Sequence, residues 1–239
     1  MSEFSHYPAI PPPFAELVPV LPEETCPYLD GRMSQYRAFR SESMPPRLYH
    51  KLMDAGFRRS GDVFYQPVCR GCRQCVPLRV PVKGFQPSKS QRRAWRRNMD
   101  LELTVGTPAT TDEKFDLYRR YVEQWHDREA GPREEYDRFL SVSPVSTLEF
   151  LYRDGGGRLL AVGICDLCEH SLSSVYFYFD PAERQRSLGT FGALVEISYA
   201  ETKGIPFYYL GYWVEGSKAM CYKSHFRPNQ VLQTGGDWA

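Results

Sequence analysis

Cys69, Cys72 and Cys75 stand at two successive x2 spacings, so three thiolates of one tight loop can converge on a single ion or cluster. A fourth ligand must come from elsewhere, and Cys26 is the candidate, because the remaining cysteines lie far downstream. The competing reading is a set of buried loop thiols with no metal. Shortly after this loop come Lys89, Arg92, Arg93, Arg96 and Arg97, which share one face at helical spacing, with no acidic residue interrupting the run. Such a stripe attracts phosphates by charge and counterion release without reading sequence. Trp95, within the stripe, is either a stacking platform or a core anchor, and the core role is expected of a single Trp. Together the cysteine loop and the cationic helix suggest a folded nucleic-acid-binding unit.

Composition bounds what these groups serve. A chain of 239 residues, 42% hydrophobic and 14% aromatic, is long enough to bury a core as one large domain or two small ones. A formal net charge of +1 excludes a global cationic field, so a polyanion site must be a local patch, and residues 79–97 form one. The seven cysteines are odd in number, and residues 1–10 contain Glu3 and His6 with no apolar run. No segment approaches eighteen apolar residues. The expectation is a cytoplasmic protein away from membranes, its thiols reduced or metal-bound.

The elements that must position these groups follow from pattern. The opening prolines, Pro8, Pro11, Pro12, Pro13, Pro19 and Pro22, predict an extended stretch. A short helix is expected over 47–55, with Leu48, Leu52 and Met53 inward, and a strand over 63–67. A strand over 76–82, interrupted by Pro77 and Pro81, predicts a sheet edge. Ser88 is placed to cap the basic helix. Leu101 to Val105 alternates as a strand, and helices follow from 111 and over 132–140, the first with Phe115, Tyr118, Val122 and Trp125 as its core stripe. His126, between the two helices, reads as structural. The hairpin 148–153/158–167 is turned by Asp154-Gly155-Gly156-Gly157, and a third, aromatic strand covers 174–179. A basic, glycine-containing turn at 184–192 then enters a helix to about 203, followed by a strand over 206–213 and a last helix over 217–226. Cys165 and Cys168 read as core. Asp166 and Glu196 are carboxylates in the right half of the chain, with nothing in the pattern to single out either as a base.

This order of elements resembles the N-acetyltransferase superfamily. The resemblance implies an α+β, GNAT-type mixed sheet over 101–239, preceded by a smaller cysteine-containing domain over 1–100. In that superfamily the turn before the central helix binds a phosphate group on exposed backbone N–H groups. Here it reads Arg186-Ser187-Leu188-Gly189-Thr190-Phe191, with Phe191 where a small residue is usual. A bulky side chain there would crowd the pyrophosphate of coenzyme A, so an acyl donor of another shape is implied.

More specifically, the chain resembles the aminoacyl-tRNA–protein transferases, and within them the short bacterial aspartate/glutamate leucyltransferases. The carrying blocks are Cys26-Pro27-Tyr28-Leu29-x-Gly31-Arg32, Gly56-Phe57-Arg58-Arg59-Ser60-Gly61, the cysteine loop through Arg79, Phe85-x-Pro87-Ser88-x-Ser90-Gln91-Arg92-Arg93, Ser187-Leu188-Gly189-Thr190, Tyr209-Leu210-Gly211-Tyr212-Trp213 and Tyr222-Lys223-x-x-Phe226-x-Pro228. The eukaryotic arginyltransferases share some blocks but carry a Cys-x-x-Cys where this chain has Cys26 and Leu29. The resemblance implies transfer of leucine from leucyl-tRNA to the α-amine of proteins beginning with Asp or Glu, creating a destabilising N-terminus. It requires no cofactor for the transfer, and implies an iron–sulfur cluster or zinc on Cys26, Cys69, Cys72 and Cys75. On this reading Arg186 to Thr190 face the terminal adenosine, Tyr209, Tyr212, Trp213 and Lys223 line the reaction pocket, and the stripe 89–97 meets tRNA. Lys223 with Arg227, or Arg58 with Arg59, would hold the acidic acceptor side chain. The alternatives are arginine transfer to the same acceptors, a coenzyme A-dependent acetyltransferase, and a non-enzymatic metal- or RNA-binding module.

Overall fold

A computed structural model describes residues 18–239, so the first four prolines of the opening stretch lie outside the described residues. A seven-stranded mixed sheet dominates, in the order β12-β6-β11-β10-β9-β8-β7. Its strands are β6 (Val76–Pro81), β7 (Glu102–Gly106), β8 (Thr147–Arg153), β9 (Leu159–Leu167), β10 (Ser171–Phe179), β11 (Phe207–Trp213) and β12 (Gln230–Val231). A small sheet of β3 (Tyr36–Arg40), β4 (Arg58–Ser60) and β5 (Val63–Pro67) pairs in the order β3-β5-β4, and β1 (Glu24–Thr25) pairs with β2 (Met33–Ser34).

The helices are α1 (Pro46–Asp54), α2 (Lys89–Arg97), α3 (Asp112–Trp125), α4 (Arg133–Leu140) and α5 (Leu188–Thr202). Ser88 does cap α2, in a full capping box with Gln91, which satisfies two of the orphan N–H groups at the helix start. Thr111 caps α3 in the same sense through the Lys114 N–H. Neighbouring residues of β10 point to opposite faces, and they identify what covers each. Tyr178 meets Tyr136 of α4, hydroxyl to hydroxyl at 2.8 Å, whereas Phe177 lies over Gly192 of α5. A Cβ at position 192 would lie 2.1 Å from Phe177 Cε2, so the glycine is what lets α5 approach the sheet. The α3–α4 pair and α5 therefore sandwich the sheet. Its α+β mixed topology, with an antiparallel meander, a crossover helix and a parallel strand, is the expected one.

Several local expectations are corrected. β6 is not an edge strand: it lies between β11 and β12, and β12 pairs with it only at Leu78 and Arg79, between the two prolines that lack an N–H to donate. The last helix shrinks to a 3-10 turn over Cys221–His225. On α1 the inward residues are Tyr49, Leu52 and Met53, while Leu48 is exposed. On α3, Leu117 and Tyr121 fill the core and Trp125 stays outside. Trp95 is 38% exposed, its ring edge resting on Phe191.

The larger sheet also reaches back across residue 100, since β6 belongs to it and α2 packs on α5. The small sheet and α1 enclose a second apolar cluster around Met53, Phe57 and Phe64, and this cluster includes Tyr209 of the large sheet. Tyr209 thus joins the two units.

Candidate active site

The site begins with a geometric misfit between two parallel strands. β10 and β11 are in register only from Ser171 to Ser173 against Phe207 to Tyr209, after which they part. Each strand carries an irregularity at the parting: the β9–β10 register skips Val175, and the β11–β6 register skips Leu210. Gly211 follows with φ +84°, which glycine adopts without strain. A cavity of about 650 Å³ opens at this gap. Its walls are residues 173–177 of β10 and 210–212 of β11, Tyr121 and Phe139 of the helical pair, Tyr28, Arg58, Arg59 and Tyr65 from the small unit, and Tyr222 and Lys223 from the last turn.

The charge of this lining is one-sided. Among the described residues it contains Arg58, Arg59, Arg128 and Lys223 and no carboxylate. His126 also lines it, and burial lowers its pKa, favouring the neutral ring.

The two arginines of the Arg58-Arg59 pair differ sharply. Arg59 is committed: its Nε and Nη2 reach Asp166 at 2.8 and 2.6 Å, its Nη1 donates to the Gly61 carbonyl, and Thr147 completes the shell around Asp166. Arg58 is also buried, yet it meets no carboxylate. One nitrogen donates to the Phe57 carbonyl at 2.7 Å, while Nε and Nη2 have no hydrogen-bond partner among the described residues. Its guanidinium lies 5.2 Å from the Tyr209 ring centroid and 5.5 Å from that of Tyr212. Lys223 is half-buried beside it, and desolvation first, then the Arg58 charge, pushes its pKa down to about 7. An unsatisfied guanidinium and a destabilised ammonium in a carboxylate-free cavity make a receptor for an anion.

The other sequence-nominated residues fall in different places. Tyr212 lines the cavity with its ring and donates to the Gly56 carbonyl at 2.7 Å. Tyr209 turns away, into a network in which its hydroxyl meets Asp54 at 2.5 Å and Arg79 at 3.1 Å. Trp213 is half-buried and lies outside the cavity lining, as does the exposed Arg227. Arg186 is held by Asp100 and Glu183, and Asn98 donates to its carbonyl at 2.8 Å, so α2 is tied to the turn that starts α5. In that turn Ser187 has φ 57°, Leu188 is buried and the space around Gly189 is open. Phe191 does not crowd this turn, because its ring packs inward against Tyr152 and Trp95; steric exclusion of a pyrophosphate by that side chain is corrected accordingly.

On α2 all five cations are exposed, and among the described residues none forms an ion pair. Arg92 and Arg97 instead donate to the Pro87 and Gln185 carbonyls. Cys26, Cys69, Cys72 and Cys75 share one neighbourhood: burial, then the charges of Cys69, Cys26 and Cys72, push the Cys75 thiol up to about 12. Cys69 Sγ accepts from the Gln35 N–H at 3.3 Å. Among the described residues no three His, Cys, Asp or Glu side chains converge as metal ligands, so in this arrangement the set does not form a closed site.

Sequence reasoning missed Tyr28, Tyr65, Tyr121, Tyr176 and Tyr222 as walls of the cavity. Tyr28 and Tyr222 stood inside the blocks that carried the resemblance, and for the other three the signal was only compositional, sixteen tyrosines in one chain.

The profile "Arginine-tRNA-protein transferase, N terminus" matches residues 24–93, and "Arginine-tRNA-protein transferase, C terminus" matches 113–233. The aspartate/glutamate leucyltransferase of Pseudomonas fluorescens (strain Pf0-1) is 42% identical over 195 residues, 80% of this chain and 83% of that protein. The protein of the same name from Hahella chejuensis (strain KCTC 2396) is 36% identical over 215 residues, 88% of this chain and 92% of its own length. Among solved structures, FemX aligns at 9% identity and a TM-score of 0.45, over 76% of this chain and 77% of its own.

Proposed function

This chain belongs to the arginine-tRNA-protein transferase family, and from that premise we propose that it transfers leucine from leucyl-tRNA to the α-amine of proteins beginning with Asp or Glu, marking them for degradation. It is an aminoacyltransferase, with an aminoacyl-tRNA as donor and proteins as acceptors. The observation that carries the choice of acceptor is the pair Arg58 and Lys223. Two cations with no carboxylate partner among the described residues face the cavity beside β11, the Lys223 Nζ 3.4 Å from where a Cβ on Gly211 would stand and the Arg58 guanidinium 5.5 Å from the Tyr212 ring centroid, so an acidic first side chain held by the pair leaves its own α-amine near the gap.

The chemistry needed there is modest. The leucyl ester is already activated, and an α-amine with a pKa of about 7.7–8.0 is partly neutral near physiological pH. Catalysis is then mostly positioning plus hydrogen bonds to the developing oxyanion. The irregular backbone at Val175 is the strand segment that adjoins the gap, and we assign the oxyanion contacts to it. The aromatic and apolar walls formed by Tyr121, Phe139, Tyr176 and Leu210 suit the leucyl side chain. The unpaired cations of α2, tied through Asn98 to the start of α5, are assigned to the tRNA backbone.

Purified protein offered tRNA charged with labelled leucine or arginine, and peptides beginning with Asp, Glu, Lys or Ala, is expected to place leucine on the Asp and Glu peptides alone. Arginine transfer would keep the family and change the donor, and the absence of transfer despite tRNA binding would overturn the reading.

Cys26, Cys69, Cys72 and Cys75 are the residues that would hold a zinc ion or iron–sulfur cluster, and no step above is routed through them. Metal analysis of protein purified without oxygen, beside a Cys69→Ser variant, tests the assignment. Because these thiols do not converge in this structure, equal low metal in both preparations is the expected result, and stoichiometric zinc or iron lost in the variant would show that the four cysteines close on a metal.

A further inference from the structure

One carboxyl approaches the gap from the far face of the sheet. Glu196 projects from α5 and is 1% exposed. Tyr208 of β11 donates to its Oε2, while Oε1 has no partner among the described residues. Position 163 on β9 is glycine, and a Cβ there would stand 2.5 Å from that oxygen, so the strand leaves room for the carboxyl. Ser174 of β10 pairs with Cys165, two residues along β9 from Gly163, which puts it on the same face of the sheet as the carboxyl, and the same Ser174 lines the active-site cavity. The serine stands where β10 and β11 part, between the sealed carboxyl and the cavity.

We propose that Glu196 is the proton-handling partner of the transfer reaction, acting through the Ser174 hydroxyl. The inference rests on the aminoacyl-transfer reading. As the acceptor nitrogen bonds to the leucyl carbonyl carbon, that nitrogen becomes positively charged and must lose a proton. Ser174 takes it and passes its own proton to the Glu196 carboxylate. When the bond from the carbonyl carbon to the ribose oxygen breaks, the proton returns along the same path to that oxygen. Glu196 ends as it began, and the products are an amide and an uncharged tRNA hydroxyl. The one net proton, that of the original α-ammonium, is released to solvent.

The surroundings suit this role. The ionisable groups that face Glu196 are Tyr208, Cys165 of β9, Tyr152 of β8 and Tyr222 of the last turn, none of them a cation. Burial raises the carboxyl to about 7, and the Tyr208, Cys165 and Ser174 groups that favour its ionised form oppose that rise. A base poised near the working pH is effective in both directions of proton transfer. Asp166, the other carboxylate in this half of the chain, is engaged by Arg59 and Thr147 and is not available.

The test is the pH dependence of kcat/KM below pH 7, with leucyl-tRNA and an Asp-initiated peptide. Two groups must lose protons in the wild type, the acceptor amine and Glu196, so the logarithmic slope is expected to be two. The slope is read below about pH 6, where Lys223, with its pKa pushed down to about 7, carries its charge and does not bend the limb. Glu196→Gln is expected to lower kcat/KM about 10²–10⁴-fold and reduce the slope to one. Ser174→Ala, which cuts the path and leaves the carboxyl in place, is expected to do the same. A variant that is slow but keeps a slope of two shows a structural role only and overturns the proposal, as does wild-type activity. If Glu196→Gln fails to fold, the slope in Ser174→Ala decides. Failure of the wild type to transfer would instead count against the functional reading.

Discussion

Lys223→Met is expected to abolish most of the preference for acidic acceptors while leaving the protein at least as stable as the wild type. Losing one partner of a charge-assisted contact to a buried carboxylate costs about 2–4 kcal/mol, or about 30- to 1000-fold in kcat/KM for an Asp peptide. Peptides beginning with Ala should change little, so the ratio of the two is the measurement, and an unchanged ratio would refute the assignment. Stability moves the other way because the ammonium is disfavoured where it sits. Arg58→Met should reduce the same ratio, at some structural cost, since it also gives up the hydrogen bond to the Phe57 carbonyl. Arg227→Ala, outside the cavity lining, is the control.

The lowered pKa adds a pH signature with a definite sign. Lys223 must be charged to hold a carboxylate, and in the empty cavity its charge is retained below about 7 and lost above it. The Asp-to-Ala ratio in kcat/KM should therefore fall as pH rises through that value, in the wild type and not in Lys223→Met. Taking the ratio cancels the ionisation of the acceptor amine, which is common to both peptides.

Asp166→Asn is expected to be the most destabilising single change near the site. It leaves the Arg59 guanidinium, 1% exposed, without its counter-charge, and breaking such a pair from one side costs about 3–5 kcal/mol. For a chain of this size that corresponds to a drop in Tm of about 6–20 °C. The double variant Arg59→Met/Asp166→Leu should recover most of the loss, because the penalty lies in the orphaned charge and not in the absence of the bridge. A Tm within 2 °C of wild type in Asp166→Asn would show that water or another group takes over the guanidinium. The bridge also explains a division of labour: two adjacent arginines of one short strand, one fastened to β9 and the other left open toward the cavity.

Much of the fold was legible as pattern. The alternation in 148–179, the Asp154-to-Gly157 turn, the Ser88 cap and the acid-led start at Thr111 are local rules, satisfied by neighbours a few residues away, and each element formed close to where the pattern placed it. The cationic face of α2 was likewise readable, because helical spacing alone decides which side chains share a side. Where local reading failed, a distant partner had intervened. Pro77 and Pro81 looked like edge signals, but β12, about 150 residues later, supplies a strand that asks for no N–H from either proline. Tyr209 and Tyr212 looked equivalent, and the irregularity at Leu210 does put both on one face, opposite Arg79 and Pro77; it is distant partners that divide them, Asp54 and Arg79 for the first and the Gly56 carbonyl for the second.

By itself, then, the sequence determined the class of the fold, its family and the presence of a cationic helix, because motifs, periods and charge runs are properties of neighbouring residues. Only the tertiary structure decided which of two adjacent arginines meets a carboxylate, that Lys223 sits beside the other, and that Glu196 and Ser174 lie on one face of the sheet near the parted strands. The physical reason is the same in each case. Desolvation, pairing and access depend on groups far apart in the chain, and a side chain acquires its chemistry only when the fold chooses its surroundings.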